Sequence, residues 1–183
     1  MTSSFPSPVP GPEPGGGGGR RVVASPVGPL ALRVDQAGRL TGLRLGGPVA
    51  PTAPIGVGRG GGRSTRQALD EVAAQLEQYF ARRRTRFELP LAPAGTAFQR
   101  RVWKALLDVG YGETVSYGEL AVRLGRPGSA RAVGRANAAN PVAIVVPCHR
   151  VIGADGTLTG YGGGLDRKAW LLEHEARHAA NRA

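Results

Sequence analysis

Glycine (29) and proline (15) occupy 44 of the 183 positions, and their uneven distribution limits which segments can form compact domains. Eleven of them fall in the first twenty residues, a composition that cannot bury enough apolar surface to fold. A second cluster covers residues 46–62. Residues 90–95 contain Pro90, Pro93 and Gly95, a composition typical of a linker. The pattern predicts a disordered tail over residues 1–20, one domain over residues 21–92 and a second over residues 93–180.

The charge of the chain favours a polyanionic partner. Its formal net charge is +11, from 24 basic and 13 acidic residues, and all but two of the basic residues are arginines. Residues 115–150 contain five arginines and one acidic residue, Glu119. Nucleic acid is the first candidate partner for such a balance, and the alternative is a basic surface that only aids solubility.

Cysteine and histidine usage excludes several other classes. Cys148 is the only cysteine, so no internal disulfide can form, and we expect a reducing, cytoplasmic environment. No cysteine or histidine precedes it, which argues against a structural zinc site in the N-terminal region. The longest aliphatic run, residues 142–146, is far shorter than the roughly 20 residues of a membrane span. We therefore expect no membrane partner and no secretory signal.

The N-terminal region is predicted to be a small α/β domain. Residues 30–34 and 40–45 are typical of short strands joined by a turn over residues 35–38. Leu69, Val72 and Leu76 then recur at helical spacing, which predicts a helix that buries one face.

The C-terminal region is predicted to be mostly helical. Thr96 can cap a first helix, and Ser116 with Glu119 forms a capping box for a second. Ser129 is predicted to cap a third helix over residues 130–138, and the last helix covers residues 165–180. The second and third helices, separated by a tight turn, form a candidate helix-turn-helix.

Small residues line the second helix of this pair. They recur at every second position, and they are Ala130, Ala132, Gly134, Ala136 and Ala138. A small face lets the helix backbone approach a neighbour closely, which is either another core helix or a nucleic-acid groove. Arg131 and Arg135 lie on the same helix and favour the groove.

Cys148 is a candidate nucleophile, although a lone cysteine is more often a small buried hydrophobe. It follows the apolar run over residues 142–146, which predicts a buried extended segment that holds the cysteine in place. His149 is adjacent, and Glu175 lies on a helical stripe with Lys168. Neighbouring side chains of an extended segment point apart, so a water between Cys148 and His149 is plausible.

The motif Pro147-Cys148-His149-Arg150-Val151 resembles the active-site motif of the O6-alkylguanine-DNA alkyltransferases. The similarity extends from about Gly95 to Glu175. Its other parts are Thr96-Ala97-Phe98-Gln99, Tyr111-Gly112-Glu113-Thr114-Val115-Ser116-Tyr117, Ala130-Arg131-Ala132-Val133-Gly134, Asn140-Pro141 and Gly160-Tyr161. The resemblance implies an α/β fold class, with a small ribonuclease-H-like N-terminal domain and a mostly helical, winged-helix-like C-terminal domain that contains the helix-turn-helix.

The resemblance also implies a function, namely DNA repair by irreversible transfer of an alkyl group to Cys148. The expected substrate is O6-alkylguanine in double-stranded DNA, with O4-alkylthymine as a further possibility. The reaction would need no cofactor, would occur once per molecule, and would be carried out by a monomer in the cytoplasm, at the nucleoid.

Roles for individual residues come from the same resemblance. Cys148, His149 and Glu175 would form a relay through a water, and Tyr117 would support the rotated phosphate and donate a proton to guanine N3. Arg131 would enter the duplex and replace the flipped base. The remaining expected DNA- and substrate-binding residues are Ala130, Arg135, Asn140 as a hinge, Arg150, Val151, and Thr159 and Tyr161 in a lid. Arg150 stays open between a phosphate contact and a structural ion pair.

Three alternatives remain at this point. A non-catalytic damage-binding relative would lack the reactive cysteine, which this chain has. A helix-turn-helix regulator would bind symmetric half-sites as a dimer. A cysteine hydrolase could use Cys148, His149 and Glu175, but it would leave the arginine-bearing helix without a purpose.

Overall fold

The computed structural model describes residues 18–46 and 64–180. Most of the predicted tail and nearly all of the predicted loop over residues 46–62 lie outside these residues. The chain divides into two compact units between Ala94 and Gly95. No helix in the described part of the chain is both long enough and apolar enough to cross a bilayer.

In its described residues, the N-terminal unit contains a three-stranded antiparallel sheet and one helix. The strands β1 (Gly19–Val23), β2 (Leu30–Val34) and β3 (Leu40–Leu45) lie in the order β1-β2-β3, and α1 (Thr65–Phe80) packs against β1 and β2. β1 begins at Gly19, so the tail predicted to reach residue 20 extends too far. Gly19 is buried against Leu69 of α1, which explains why a glycine at the end of this run belongs to the sheet.

The alternation of apolar and polar residues along the strands decides which face of the sheet is buried. Leu30, Leu32 and Val34 of β2 are buried, whereas Arg33 between them is exposed. The helix α1 begins with a complete capping box, and its predicted apolar face is buried. Burial of each such aliphatic side chain stabilises the unit by roughly 1.5–3 kcal/mol.

Part of the predicted linker belongs to the sheet. Residues 90–92 lie along Leu40 of β3, whose N–H donates to the Pro90 carbonyl at 2.7 Å. The Ala92 N–H donates in turn to the Leu40 carbonyl at 2.9 Å, and Leu91 is buried in the parallel bridge between them. The prolines at residues 90 and 93 flank this contact, so the linker signal was correct only for the last residues before Gly95.

The C-terminal unit is mostly helical. Its elements are α2 (Ala97–Leu107), β4 (Val115–Ser116), α3 (Tyr117–Arg123), α4 (Ala130–Ala138), a 3₁₀ turn (Cys148–Arg150), β5 (Val151–Ile152) and α5 (Leu165–Ala180). β4 and β5 pair in parallel, with Val115 opposite Val151. The turn that carries Cys148 is thereby attached to the strand that leads into the helix-turn-helix.

Helix caps in this unit agree with the sequence in two of three cases. The capping boxes at Thr96 and Ser116 are both complete. Ser129 occupies the N-cap position of α4 but makes no capping hydrogen bond, because its backbone (φ −93°, ψ 22°) is not in the extended conformation that a cap requires. The start of α4 therefore depends on its packing against α2 and α3.

Candidate active site

The segment before Cys148 is buried but not extended, contrary to the prediction. Residues 142–146 form a compact turn in which the Val146 N–H donates to the Val142 carbonyl at 3.0 Å. Ile144 adopts a left-handed conformation (φ 69°), which is costly for a β-branched residue. Cys148, only 6% exposed, then opens the 3₁₀ turn.

Asn140 stabilises this turn with its side chain. The Oδ1 atom accepts from the Val142 N–H at 3.0 Å, and Nδ2 donates to the Val146 carbonyl at 2.8 Å. One side chain thus satisfies backbone groups at both ends of the turn. The conformation of the apolar run therefore follows from a polar residue just outside it.

Glu175 of α5 is fully buried and lies at the centre of a hydrogen-bond network behind Cys148. Its Oε1 lies 3.0 Å from His149 Nε2 and 2.9 Å from Arg150 Nη2. Its Oε2 accepts from Arg150 Nε at 2.8 Å and from the Gly112 N–H at 3.2 Å. Glu175 therefore faces inwards, and its partners are buried groups of the site.

The surroundings favour an ionised Glu175 and a neutral His149. Burial alone would raise the pKa of the Glu175 carboxyl, but hydrogen bonds and charge from His149 and Arg150 hold that pKa well below its usual value. Burial lowers the pKa of His149 and outweighs the opposing effect of Glu175. A neutral His149 donates from Nε2 to the carboxylate. The buried Nδ1 is then a proton acceptor that has no hydrogen-bond partner among residues 18–46 and 64–180.

Cys148 and Tyr161 are both protonated at neutral pH. Burial raises the pKa of the Cys148 thiol, and the Asn140 side chain and the charge of Lys168 lower it by less. Burial also raises the pKa of Tyr161, and the Cys148 thiolate would raise it further. The Tyr161 hydroxyl is buried and has no hydrogen-bond partner in the part of the chain that the structure describes. The thiol therefore needs a base before it can react as a nucleophile.

The helix-turn-helix presents its arginines to solvent. Arg131 and Arg135 are exposed on α4, and Ala130 is half-buried at its first turn. Tyr117, at the start of α3, lies against Gly134, where an added Cβ would be 3.6 Å from the Tyr117 ring. A Cβ at Gly134 would be in ordinary van der Waals contact with this ring, so at this position the small-residue face packs against another helix, one of the two sequence alternatives.

The structure also brings together Tyr117 and the segment predicted to form a lid. The Thr159 hydroxyl lies 3.4 Å from the Tyr117 hydroxyl, and the Thr159 carbonyl accepts from Lys168 Nζ at 2.8 Å. Residues from α3, α5 and the glycine-rich loop thus meet on the side of the unit that carries Cys148.

Two family profiles match successive parts of this chain. The ribonuclease-like domain of 6-O-methylguanine DNA methyltransferase matches residues 20–93, and the DNA binding domain of the same family matches residues 97–177. The chain belongs to the 6-O-methylguanine DNA methyltransferase family. The expected fold class is thereby confirmed, with a small sheet domain followed by a mostly helical domain.

Individual relatives agree with this membership. The methylated-DNA–protein-cysteine methyltransferase of Mycolicibacterium paratuberculosis is 52% identical over 87% of this chain and 93% of its own length. That of Methanosarcina barkeri is 46% identical, over 84% of this chain and 94% of its own. The crystal structure of Mycobacterium tuberculosis OGT in complex with DNA has a TM-score of 0.74 and 48% identity, over 87% of this chain and 93% of that one.

Of the expected DNA- and substrate-binding residues, Arg150 has a structural role, and the role of Val151 stays a prediction. Arg150 is 7% exposed, and its donors are directed to Glu175 and, through Nη1, to the Val109 carbonyl at 2.6 Å. These contacts engage all three of its side-chain nitrogens, which favours the structural ion pair over a phosphate contact for Arg150. The Val151 side chain is fully buried, and its carbonyl accepts from Lys168 Nζ at 2.6 Å.

Three residues that support the site were given no such role from the sequence. Lys168 is fully buried and joins Val151 to Thr159, and its place on the apolar stripe of α5 was the available signal. Asn137 Nδ2 donates to the Cys148 carbonyl at 3.2 Å. Gly112 has φ 77°, and a Cβ there would lie 2.8 Å from the Ala179 Cβ, so only glycine lets its N–H reach Glu175.

Proposed function

We propose that this protein repairs O6-alkylguanine in double-stranded DNA by moving the alkyl group irreversibly to Cys148. As a member of its family it is a transferase of the methylated-DNA–protein-cysteine type. The observation that carries the proposal is the buried 3.0 Å hydrogen bond between His149 and Glu175 next to the only cysteine of the chain.

His149 acts as the base for the thiol. Its Nδ1 takes the Cys148 proton through a water, while Nε2 donates to Glu175 and keeps the ring oriented. Glu175 then stabilises the imidazolium that forms, because its carboxylate charge is already in place. A water is needed for this transfer, since within the described residues no direct hydrogen bond joins the Cys148 thiol to the His149 ring.

The transfer itself is a substitution at the alkyl carbon. A bond forms between Cys148 Sγ and that carbon, and the bond from the carbon to guanine O6 breaks with its electron pair on the base. Tyr117 gives a proton towards guanine N3, so the base leaves uncharged. The product is a thioether with no carbonyl for water to attack, and the chain would therefore act once.

Access to the alkyl group requires base flipping, which costs a few kcal/mol of unstacking. Arg131 is exposed on α4 and fills the place of the flipped base, and Arg135 contacts the backbone one turn further along. Thr159 and Tyr161 cover the base pocket, and Asn140 couples α4 to the turn before Cys148. All these residues belong to one chain, so a monomer suffices, and none of the steps uses a metal or a cofactor.

Mass spectrometry tests this proposal directly. The full chain is incubated with a duplex that contains one O6-methylguanine, and the peptide containing Cys148 is analysed. We expect one methyl group on that peptide and no more than one equivalent transferred per chain. Cys148→Ala should abolish transfer and still bind the duplex, because the exposed arginines of α4 are unchanged. Continued turnover without added cofactor would instead identify a cysteine hydrolase.

A further inference from the structure

The outer face of the N-terminal sheet carries charges that the transfer reaction does not use. Arg20, Arg33 and Arg44 lie on β1, β2 and β3, one on each strand, and all three are exposed. We call these three residues the arginine row. The opposite face of the same sheet packs against α1, so the row lies on the face that α1 leaves open.

The strand register brings the charges close together. Arg20 lies directly opposite Arg33. Arg33 faces Gly42 on β3, and Arg44 is two residues further along, which makes it the diagonal neighbour of Arg33. Opposed side chains on one face have Cβ atoms about 5 Å apart and diagonal ones about 7–8 Å, and like charges at the shorter spacing destabilise a sheet.

Within the described residues, no anionic side chain compensates this repulsion. Across residues 18–46 and 64–180, none of the three arginines forms an ion pair or a side-chain hydrogen bond. The neighbouring Arg21 differs from these three because it forms an ion pair with Asp70 of α1, at 2.6 Å, on the other face of the sheet. The other positions that share the outer face in this register are not acidic, and they are Val22, Ala31 and Gly42.

We propose that the arginine row binds the phosphate backbone of duplex DNA, so that the N-terminal unit adds a contact of its own to that of the helix-turn-helix. Guanidinium groups match phosphate geometry, and a row of phosphates would offset the repulsion between opposed arginines. Duplex DNA is the favoured polyanion because the second domain of the same chain belongs to a DNA-binding family. Tethering to that domain raises the effective concentration of phosphate at the sheet.

Salt-dependent binding of an undamaged duplex tests the arginine row without any reaction at Cys148. The full chain is compared with R20Q/R33Q/R44Q by fluorescence anisotropy between 50 and 200 mM salt. Each lost phosphate contact reduces the slope of log K against log[salt] by about 0.9, so we expect a reduction of about 2–3 and an affinity loss of about tenfold or more. The matched control R66Q/R83Q/R86Q removes the same charge from exposed positions of the same unit and should change the slope by less than about 1.

Two further measurements keep the outcome unambiguous. R20K/R33K/R44K should retain the wild-type slope, because it preserves the charges, and the glutamine variant should unfold at the same or a higher temperature. Reaction with free O6-benzylguanine should be unchanged in every variant, since the row is not part of the site. Equal slopes for R20Q/R33Q/R44Q and its control would overturn the proposal. It would also be overturned if R20Q/R33Q/R44Q lost binding of inorganic polyphosphate but bound the duplex as the wild type does.

Discussion

The outer face of α4 and the buried turn at Cys148 both depend on arginine, and they use it in opposite ways. Arg131 is exposed and has no side-chain partner among the residues that the structure describes, so its donors remain available to a ligand. Arg150 is 7% exposed and directs three nitrogen atoms to Glu175 and the Val109 carbonyl. The local charge is similar, but only the exposed arginine can contribute to DNA affinity.

The comparison separates binding from chemistry. Changes in the buried network should alter the reaction and the stability of the fold while DNA affinity stays constant. Changes on α4 should alter reactions that need duplex DNA and leave the fold intact. The following predictions test this separation, from the largest expected effect to the smallest.

Glu175→Gln should have the largest effect in the buried region. Without the carboxylate, His149 loses the charge that stabilises its protonated form, and Arg150 keeps a buried charge without a counter-ion. We expect the transfer rate to fall by about 100-fold or more, the range that general acid–base catalysis covers. The single-turnover rate and the duplex Kd are measured on the same preparation. An unchanged rate in a folded variant would remove Glu175 from the mechanism.

Arg150→Met should change both stability and the pH dependence of transfer. Removing one member of a buried pair costs about 3–5 kcal/mol of unfolding free energy, measurable by urea denaturation. The groups that act on the His149 pKa are Glu175, which raises it, and Arg150 and Lys168, which lower it.

The sign of the pH effect follows from these groups. Transfer needs neutral His149, so the rate falls as the pH drops through the His149 pKa. Loss of Arg150 raises that pKa, and the acid limb of the rate profile should move to higher pH. Arg150→Lys keeps the positive charge, so the acid limb of its rate profile should lie closer to the pH at which the wild-type limb lies. A lower rate with an unmoved limb would mean that Arg150 only supports the fold.

Arg131→Ala should affect only the DNA-dependent step. If Arg131 stabilises the flipped state, repair of O6-methylguanine in a duplex should slow by about tenfold, which corresponds to about 1.4 kcal/mol. Reaction with free O6-benzylguanine needs no flipping and should keep its rate. Arg135→Ala on the same helix should weaken duplex binding but slow repair at saturating duplex by less, because Arg135 is assigned a backbone contact and not the place of the flipped base. Equal losses on both substrates would show that the exposed and buried regions are not separate.

Metal removal should have the smallest effect on either region. Residues 1–147 contain no cysteine or histidine, and the described residues contain no group of three potential metal ligands. We expect EDTA to leave the melting temperature and the transfer rate unchanged. Elemental analysis that found one zinc per chain would contradict this expectation.

Local sequence determined the elements with strong local signals. Thr96 and Ser116 cap their helices because each has a glutamine or glutamate three residues later, and a capping box needs no distant partner. The helical stripe of α5 that contains Lys168 correctly predicted that Glu175 faces inwards. Because the chain has a single cysteine, the sequence also determined which cysteine could accept an alkyl group.

Only the tertiary structure decided the rest, because the deciding hydrogen bonds join residues far apart in the chain or override local preference. Residues 142–146 have the composition of a strand, yet the Asn140 side chain holds them in a turn with Ile144 in a left-handed conformation. Arg150 is ambiguous in the motif, and its role is decided by Glu175, 25 residues away, which contacts two of its three side-chain nitrogens. Sequence alone specified which charges are present, and packing decided which of them stay in water.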